Sequence, residues 1–314
     1  MIEEYPKTLA DFERWFATEE ACREFLFKLR WPEGFVCPRC QSRIGWPTSR
    51  DLWVCTACGH QASLTAGTIF QDTHKPLTLW FRAMWWVTSQ KNGASALGLQ
   101  RVLGLGSYRT AWTWLHKMRR AMVRPGRDRL SGAVEVDETY LGATEQGVRG
   151  RATASKVLIA VAAEQAGRAI GRIRMRRIPN ASAASLHAFI RDSVEVGSQI
   201  HTDGWTGYQG LEKHGYDHRV IMGRTVTTPD DLLPRIHLVA SLLKRWLLGT
   251  HQGAVSDEHL DYYLDEFTFR FNRRTSKHRG KLFHRLLEQA VAVDPTPYRA
   301  MIKHARGRKA TYKM

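Results

Sequence analysis

Two pairs of cysteines constrain the fold of this chain more than any other feature of its sequence. Cys37 and Cys40 form one Cys-x-x-Cys pair, Cys55 and Cys58 form a second, and 14 residues separate the pairs. Two such pairs at the ends of a short β-hairpin supply four thiolates to one tetrahedral zinc ion. A pair of disulfides is the alternative, which a reducing compartment disfavours. The spacing therefore predicts a zinc ribbon in residues 36–70, with all four cysteines bound to one structural Zn²⁺.

The residues around the cysteines fit a small hairpin. Gly59 follows the second pair and suits a tight turn that points backbone N–H groups at the sulfurs. Trp46 and Trp53 are expected to cover the hairpin core. His60 is excluded as a ligand because four cysteines already fill the site. Cys22 has no partner at metal-ligand spacing and is expected to be a buried apolar residue.

The charge of the chain indicates a polyanionic partner. Its 314 residues include 47 Lys and Arg against 30 Asp and Glu, a formal charge of +17. Such an excess favours nucleic acid, because neutralised phosphates release counterions, although a basic surface kept for solubility is the alternative. No secretory signal is visible, and the most continuous apolar run, 157–163, is too short to cross a bilayer. We therefore expect a cytoplasmic protein that does not contact membranes.

Residues 75–125 contain a pattern of helix, glycine-containing turn and helix. The second helix, 108–123, carries apolar residues at three- and four-residue steps, and a mainly basic stripe lies on a separate face. A basic second helix suits recognition of the DNA major groove. The alternative is an ordinary helical hairpin with a solvated charged face. The residues expected to contact DNA are Arg109, Thr113, Lys117, Arg120 and Arg124.

From Leu130 onward, strand patterns precede helical ones. Two strands, 134–137 and 199–203, each end in an acid, Asp137 and Asp203, and two further strands and a helix separate them. A right-handed crossover sets the two strands parallel, so that their acidic ends converge. Two carboxylates at such a point can hold magnesium ions that activate an attacking oxygen and stabilise a leaving oxygen. The alternative is that each Asp simply forms a turn at a strand end.

Three motifs resemble bacterial insertion-sequence transposases with an N-terminal zinc ribbon. They are Val134-Glu-Val-Asp137-Glu-Thr-Tyr-Leu-Gly, His201-Thr-Asp203-Gly-Trp-x-Gly-Tyr and Ser241-Leu-Leu-Lys-Arg-Trp-Leu-Leu-Gly-Thr, and the stretch from Tyr263 to Arg274 is similar as well. The resemblance runs from near Cys37 to about Leu287. It implies a ribonuclease-H-like fold, Mg²⁺ or Mn²⁺ in the catalytic site, and chemistry by an acid triad on transposon ends. Asp137 and Asp203 match the first two acids of that triad.

The third position of the triad departs from the resemblance. The family usually has Glu or Asn on a helix, seven residues before a Lys, and here His237 stands seven residues before Lys244. His237, Ser241 and Lys244 would share one helical face. Three interpretations compete: His237 works through an intervening water or with manganese, takes part in proton transfer, or marks an impaired copy. Asp230 and Asp231 are substitute acids, although they precede the helix and fit cap positions better.

Lys244 and Arg245 are expected to contact DNA phosphates near the cut, and solvated helix charge is the alternative. The fold class predicted is a multidomain combination of α+β and α/β elements. A small zinc ribbon comes first, then a helix-turn-helix, then a ribonuclease-H-like mixed sheet flanked by helices. The boundaries predicted are 1–35 for a helical lead-in, 36–70 for the ribbon, 75–125 for the helix-turn-helix, 130–290 for the catalytic domain and 291–314 for a basic tail.

The function predicted is that of a DNA transposase. It would bind terminal inverted repeats and target DNA as a homo-oligomer, and catalyse metal-dependent strand cleavage and strand transfer. Asp137 and Asp203 would hold the metal, while His237 and Lys244 complete the catalytic set. An inactive or domesticated DNA-binding protein is the main alternative, because His237 replaces the third acid. A nuclease that hydrolyses DNA without rejoining it is a third hypothesis.

Overall fold

A computed structural model describes residues 4–123, 126–142, 156–222, 232–253 and 255–303. These residues form two compact units. The first unit contains the described residues before 124 and after 274, and the second contains those between. Arg124, the substitute acids Asp230 and Asp231, and residues 304–314 of the predicted basic tail lie outside the described residues.

The elements follow the predicted order of a ribbon, a helical segment and a mixed sheet. The chain begins with α1 (Leu9–Trp15), α2 (Glu19–Arg30), β1 (Gly45–Pro47), β2 (Leu52–Cys55), β3 (Gln61–Ser63), α3 (Leu77–Ser89), α4 (Ala96–Leu103) and α5 (Tyr108–Ala121). It continues with β4 (Ala133–Leu141), β5 (Val157–Ala166), β6 (Ala169–Ile178), α6 (Ala183–Ser193), β7 (Gln199–Thr202), β8 (Asp217–Val220), α7 (Pro234–His251) and α8 (Leu260–Phe271). It ends with α9 (Arg279–Ala292) and α10 (Tyr298–Lys303).

The last two helices belong to the first unit. Phe283 on α9 is fully buried, and its ring lies 5.4 Å from Phe12, 5.6 Å from Phe16 and 5.7 Å from Phe81. Buried aromatic rings at such separations contribute both apolar area and favourable edge contacts. The structure therefore ends the second unit near residue 274, earlier than the boundary predicted at 290, because α9 buries its apolar side among aromatic residues of the N-terminal segment.

The second unit is built on a mixed sheet whose strand order, within the described residues, is β6-β5-β4-β7-β8. Strands β4, β5 and β6 pair antiparallel, whereas β7 pairs parallel to both β4 and β8. The predicted parallel pairing of β4 with β7 is confirmed, and α6 lies between β6 and β7 in the chain. Strand β4, however, continues past Asp137 to Leu141, because β5 pairs with it over that length, so Asp137 lies within its strand rather than at its end. Strand β5 is buried over most of its length, as expected for an apolar run covered on both faces.

Helices cover both faces of this sheet. Helices α7 and α8 pack on one face, over a core that includes Val161, Ile173 and Leu243. Helix α6 packs on the other, where Val136, Phe189 and Ile200 are buried. The predicted mixed sheet flanked by helices is confirmed. None of the helices in the part of the chain that is described is long and apolar enough to span a membrane.

Candidate active site and zinc centre

The four cysteines of the ribbon come together as predicted. Their sulfurs lie within 4.8 Å of one another, with 3.7 Å between the Sγ atoms of Cys37 and Cys58 and 3.5 Å between those of Cys40 and Cys55. Both distances are longer than the roughly 2.05 Å of a disulfide, and all four cysteines are free. Four thiolates around zinc at about 2.3 Å would be about 3.8 Å apart in a tetrahedron. The donor set therefore fits one zinc ion.

The two cysteine pairs are shaped by matching turns. The backbone N–H of Gln41 donates to the carbonyl of Cys37, and that of Gly59 donates to the carbonyl of Cys55, each at 2.9 Å. Gln41 and Gly59 both adopt left-handed backbone, with φ of 62° and 67°. Glycine adopts this conformation without steric cost, which explains Gly59 after the second pair.

Aromatic residues hold the ribbon from one side. The ring of Trp53 on β2 lies 4.8 Å from Phe27 and 5.3 Å from Phe35, stacked on both, so its predicted place in the hairpin core is confirmed. Trp46 is 51% exposed, so the prediction that it covers the core is wrong. The hairpin is covered instead by residues of α2 and of the loop after it, which the hairpin sequence alone does not reveal.

In the second unit, Asp137 lies within β4, and Asp203 directly follows the neighbouring strand β7. Strands β4 and β7 pair with Glu135 opposite His201, and Asp137 and Asp203 each lie two residues beyond this pair along the chain. Asp137 lies opposite Val161 on β5, a residue of the core beneath α7. Residues directly opposite each other share a face of the sheet. Asp137 therefore faces the helix that carries the third predicted residue.

His237 on α7 meets Asp137 at this face. Its Nε2 lies 3.9 Å from Oδ2 of Asp137, and the two side chains are 40% and 17% exposed. Ser241 and Lys244 are exposed farther along the helix, whereas Val239 and Leu243 are buried. The helical face predicted for His237, Ser241 and Lys244 is thus the one open to solvent.

Local hydrogen bonds orient the two aspartates. The backbone N–H of Glu138 donates to Oδ1 of Asp137 at 2.7 Å, and that of Trp205 donates to Oδ1 of Asp203 at 3.0 Å. These bonds fix Oδ1 of each aspartate, and so they also set the direction of its Oδ2. Carboxylate oxygens suit Mg²⁺ or Mn²⁺, whereas an imidazole at the third position suits Mn²⁺, the softer of the two.

Glu138 lies on the opposite face of β4 from Asp137, because successive side chains of a strand point to opposite faces of the sheet. It accepts a 2.6 Å hydrogen bond from the hydroxyl of Tyr208, which is buried in the core on the α6 face. Burial, and then the nearby Glu138 carboxylate, raise the pKa of Tyr208 well above its ordinary value. Tyr208 therefore stays protonated and holds Glu138 on that side of β4.

The predicted residues are not gathered equally closely. Among the described residues, the four cysteines form a group whose potential ligand atoms all lie within 4.8 Å, and the aspartates and His237 form no such tight group. The side chains of Asp137 and His237 approach to 3.9 Å, whereas Asp203 is located only by its position directly after β7. Sequence reasoning missed Glu135, a buried acid on the same face as Asp137; its signal was a charged residue between two valines of a buried strand.

The predicted helix-turn-helix residues differ in exposure. Helices α4 and α5 form as predicted, with Ser107 as N-cap of α5. Arg109 is exposed, whereas Lys117 is half-buried with its Nζ 6.0 Å from the ring centre of Trp80, and burial lowers the pKa of Lys117. Thr113 donates its hydroxyl to the carbonyl of Arg109 at 2.7 Å. Arg120 is half-buried.

In the second unit, the two basic residues that are predicted to contact phosphates, Lys244 and Arg245, are exposed.

Comparison with known protein families matches both parts of the chain. Residues 129–272 match the ISXO2-like transposase domain, and residues 17–61 match the transposase zinc-ribbon domain. The chain has the two domains of an insertion-sequence transposase. The resemblance recognised in the sequence is confirmed, and the matched transposase domain contains Asp137, Asp203 and His237.

The chain is also similar to individual proteins. An "Uncharacterized protein in transposable element ISH50" of Halobacterium salinarum is 26% identical over 275 residues, which are 81% of this transposase chain and 91% of that protein. The Mos1 transposase paired-end complex with left transposon end has 16% identity, a TM-score of 0.24, and coverage of 65% of this chain and 79% of that one. The Mos1 strand transfer complex has 14% identity, a TM-score of 0.27, and coverage of 76% and 82%.

Proposed function

We propose that this transposase is an active enzyme that binds the ends of its insertion sequence, cleaves them in a metal-dependent reaction and joins them to target DNA. The observation that carries the proposal is that Asp137 lies on β4, 3.9 Å from His237 of α7, while Asp203 directly follows β7, the strand that pairs parallel to β4. Carboxylates on neighbouring strands are a donor set that phosphoryl transfer with divalent metal requires.

In this proposal the two aspartates hold the metal. Bound Mg²⁺ or Mn²⁺ supplies charge neutralisation for the attacking and leaving oxygens of an in-line displacement. Water is the nucleophile in the first step, which breaks the P–O bond at the transposon end and frees a 3′-hydroxyl. That hydroxyl is the nucleophile in the second step, which forms a new P–O bond in the target and displaces one target strand end.

His237 takes the third place at the site. Its imidazole faces Asp137 and is partly open to solvent, so it can accept and release a proton or contact the metal through water. Lys244 and Arg245, exposed on the same helix, contact phosphates beside the reacting bond. The zinc ribbon and the α4–α5 pair bind the transposon end as a homo-oligomer on DNA.

The test compares conservative variants of the two aspartates. Asp137→Asn and Asp203→Asn remove a charge and keep the side-chain shape. We expect cleavage of a labelled oligonucleotide with a transposon end to fall by orders of magnitude, because metal contributes several kcal/mol to transition-state stabilisation, while binding in a mobility-shift assay is kept. Asp217→Asn, an exposed acid on β8 of the same sheet, is the matched control and should cleave normally. Cleavage that ignores Asp137→Asn would overturn the proposal.

A second candidate function rests on His237 itself. An imidazole where the family usually has a carboxylate or amide favours a domesticated DNA-binding protein that no longer cleaves. That candidate predicts end binding without cleavage in both Mg²⁺ and Mn²⁺, with cleavage restored by His237→Glu. Wild-type cleavage with either metal excludes it.

A further inference from the structure

Glu135 is a buried acid that the proposed chemistry does not use. It lies on β4 two residues before Asp137 and is only 2% exposed. Its strand neighbours Val134 and Val136 are fully buried. A carboxyl group at this depth costs free energy unless it is paired and hydrogen-bonded. The hydrogen-bond partners of Glu135 therefore indicate its structural role.

All the hydrogen-bond donors described for Glu135 come from the first turn of α7. The backbone N–H groups of Arg235 and Ile236 donate to its Oε2 at 2.9 and 3.1 Å, and the Arg235 guanidinium donates to its Oε1 at 2.8 Å. Leu233, the N-cap residue of α7, provides no side-chain cap, and Pro234 has no N–H. Glu135 supplies from a strand the cap that the helix lacks in its own sequence.

Arg235 extends this anchor to the neighbouring turn. A second guanidinium nitrogen donates to the carbonyl of Gly167 at 2.8 Å, between β5 and β6. The ion pair is mostly enclosed, since the Arg235 and Glu135 side chains are 19% and 3% exposed. The start of α7 is thus tied to β4 and to the β5–β6 turn, with two charged groups and three acceptor oxygens in fixed places.

The contact between Glu135 and Arg235 and the contact between Asp137 and His237 join the same strand, β4, to the same helix, α7. Glu135 and Asp137 are two residues apart on one face of β4, and Arg235 and His237 are two residues apart at the start of α7. The Arg235 guanidinium donates to Glu135 at 2.8 Å, and Nε2 of His237 lies 3.9 Å from Oδ2 of Asp137. We propose that Glu135, through Arg235 and the first turn of α7, is a positioning residue that holds His237 against Asp137. Its catalytic consequence rests on the proposed function.

Glu164 provides a matched control in the same unit. Its carboxylate accepts from the backbone N–H groups of Ser131 and Arg172 at 3.0 Å each and from the Arg172 guanidinium at 2.6 Å. The chemistry equals that of Glu135, but these partners lie on β6 and before β4 rather than on α7. Glu135→Gln and Glu164→Gln therefore remove the same kind of interaction from different places.

Two measurements test the anchor without DNA cleavage. Amide hydrogen exchange at Arg235 and Ile236 should accelerate about tenfold or more in Glu135→Gln, which corresponds to about 1.4 kcal/mol for a charge-assisted hydrogen bond, and should stay unchanged in Glu164→Gln. In isotope-labelled protein, Asp137→Asn should shift the ring resonances of His237. That response should be lost in the Glu135→Gln background and kept in the Glu164→Gln background. Unchanged exchange, or a His237 response that survives Glu135→Gln, would overturn the proposal.

A double-variant cycle tests the catalytic consequence. Glu135→Gln should slow cleavage about tenfold when His237 is present and have no further effect in His237→Ala, because it acts through His237. Glu164→Gln should act by the same factor in both backgrounds. An equal loss from Glu135→Gln in both backgrounds would reduce its role to stability and overturn the proposal.

If Glu135→Gln does not fold, Arg235→Ala, which keeps the backbone donors, takes its place. If the wild type does not cleave, the proposed function fails, and the exchange and resonance measurements still decide the anchor.

Discussion

Placing a carboxylate at position 237 gives a test whose size follows from the geometry. His237→Glu sets a second negative charge beside Asp137, where the present nitrogen-to-oxygen separation is 3.9 Å. At that separation, two like charges repel by about 4 kcal/mol at an effective dielectric of about 20 and by about 1 kcal/mol in bulk water. Because the His237 side chain is 40% exposed, solvent screening places the cost at the lower end, about 1–2 kcal/mol.

The assay is thermal unfolding with and without divalent metal. His237→Gln is the reference, since it has the length of Glu without the charge. Without metal, His237→Glu should unfold about 2–8 °C below His237→Gln, which is the shift expected for about 1–2 kcal/mol in a unit of this size. Saturating Mg²⁺ should reverse the order, because a cation between the carboxylates removes their repulsion and binds the folded form. Equal melting temperatures of the two variants under both conditions would refute the placement of His237 beside Asp137.

The other predictions concern the zinc centre, the DNA-binding helix and Tyr208. Metal analysis should find one zinc per chain, and Cys55→Ser should release it and unfold the ribbon; full zinc content in that variant would contradict the site. Arg109→Ala should lower the salt dependence of end binding by about one unit on a log–log plot if the exposed Arg109 contacts a phosphate, and an identical slope would remove it from the interface. Lys117→Ala should instead lower the melting temperature, since its side chain is half-buried near an aromatic ring; a lower salt slope at unchanged stability would speak against that packing. Tyr208→Phe should destabilise the second unit by about 1.5–3 kcal/mol, as expected for a buried hydrogen bond to a charged group, and an unchanged free energy of unfolding would contradict the bond to Glu138.

The parts of this fold that the sequence predicted correctly are those set by local spacing. The Cys-x-x-Cys pairs carry their own geometry, so the sulfur cluster follows from residue numbers alone. Strands β4 and β7 were recognisable because each runs from apolar residues into an acid, and the handedness of the crossover then made them parallel. The exposed face of α7 followed from the period of an α-helix.

The features that the sequence did not predict depend on distant partners. The apolar side of α9 is visible in the sequence, but periodicity does not say that Phe283 packs with Phe12 and Phe16 rather than with the preceding sheet. Glu135 reads as one more acid near Asp137 until the N-terminus of α7, 100 residues later, is placed above it. Lys117 belongs to a basic stripe in sequence, and only its contact with Trp80 reveals that it is half-buried.

Joining of DNA ends tests the central claim most directly. A labelled oligonucleotide with a transposon end is incubated with purified protein, a target plasmid, and Mg²⁺ or Mn²⁺. We predict covalently joined products in the wild type, stronger with Mn²⁺ because of the imidazole at position 237, and their loss in Asp137→Asn and Asp203→Asn. Cleaved ends that never join would identify a nuclease instead. No cleavage or joining with either metal, in protein that still binds the end, would contradict the claim that this transposase is an active enzyme.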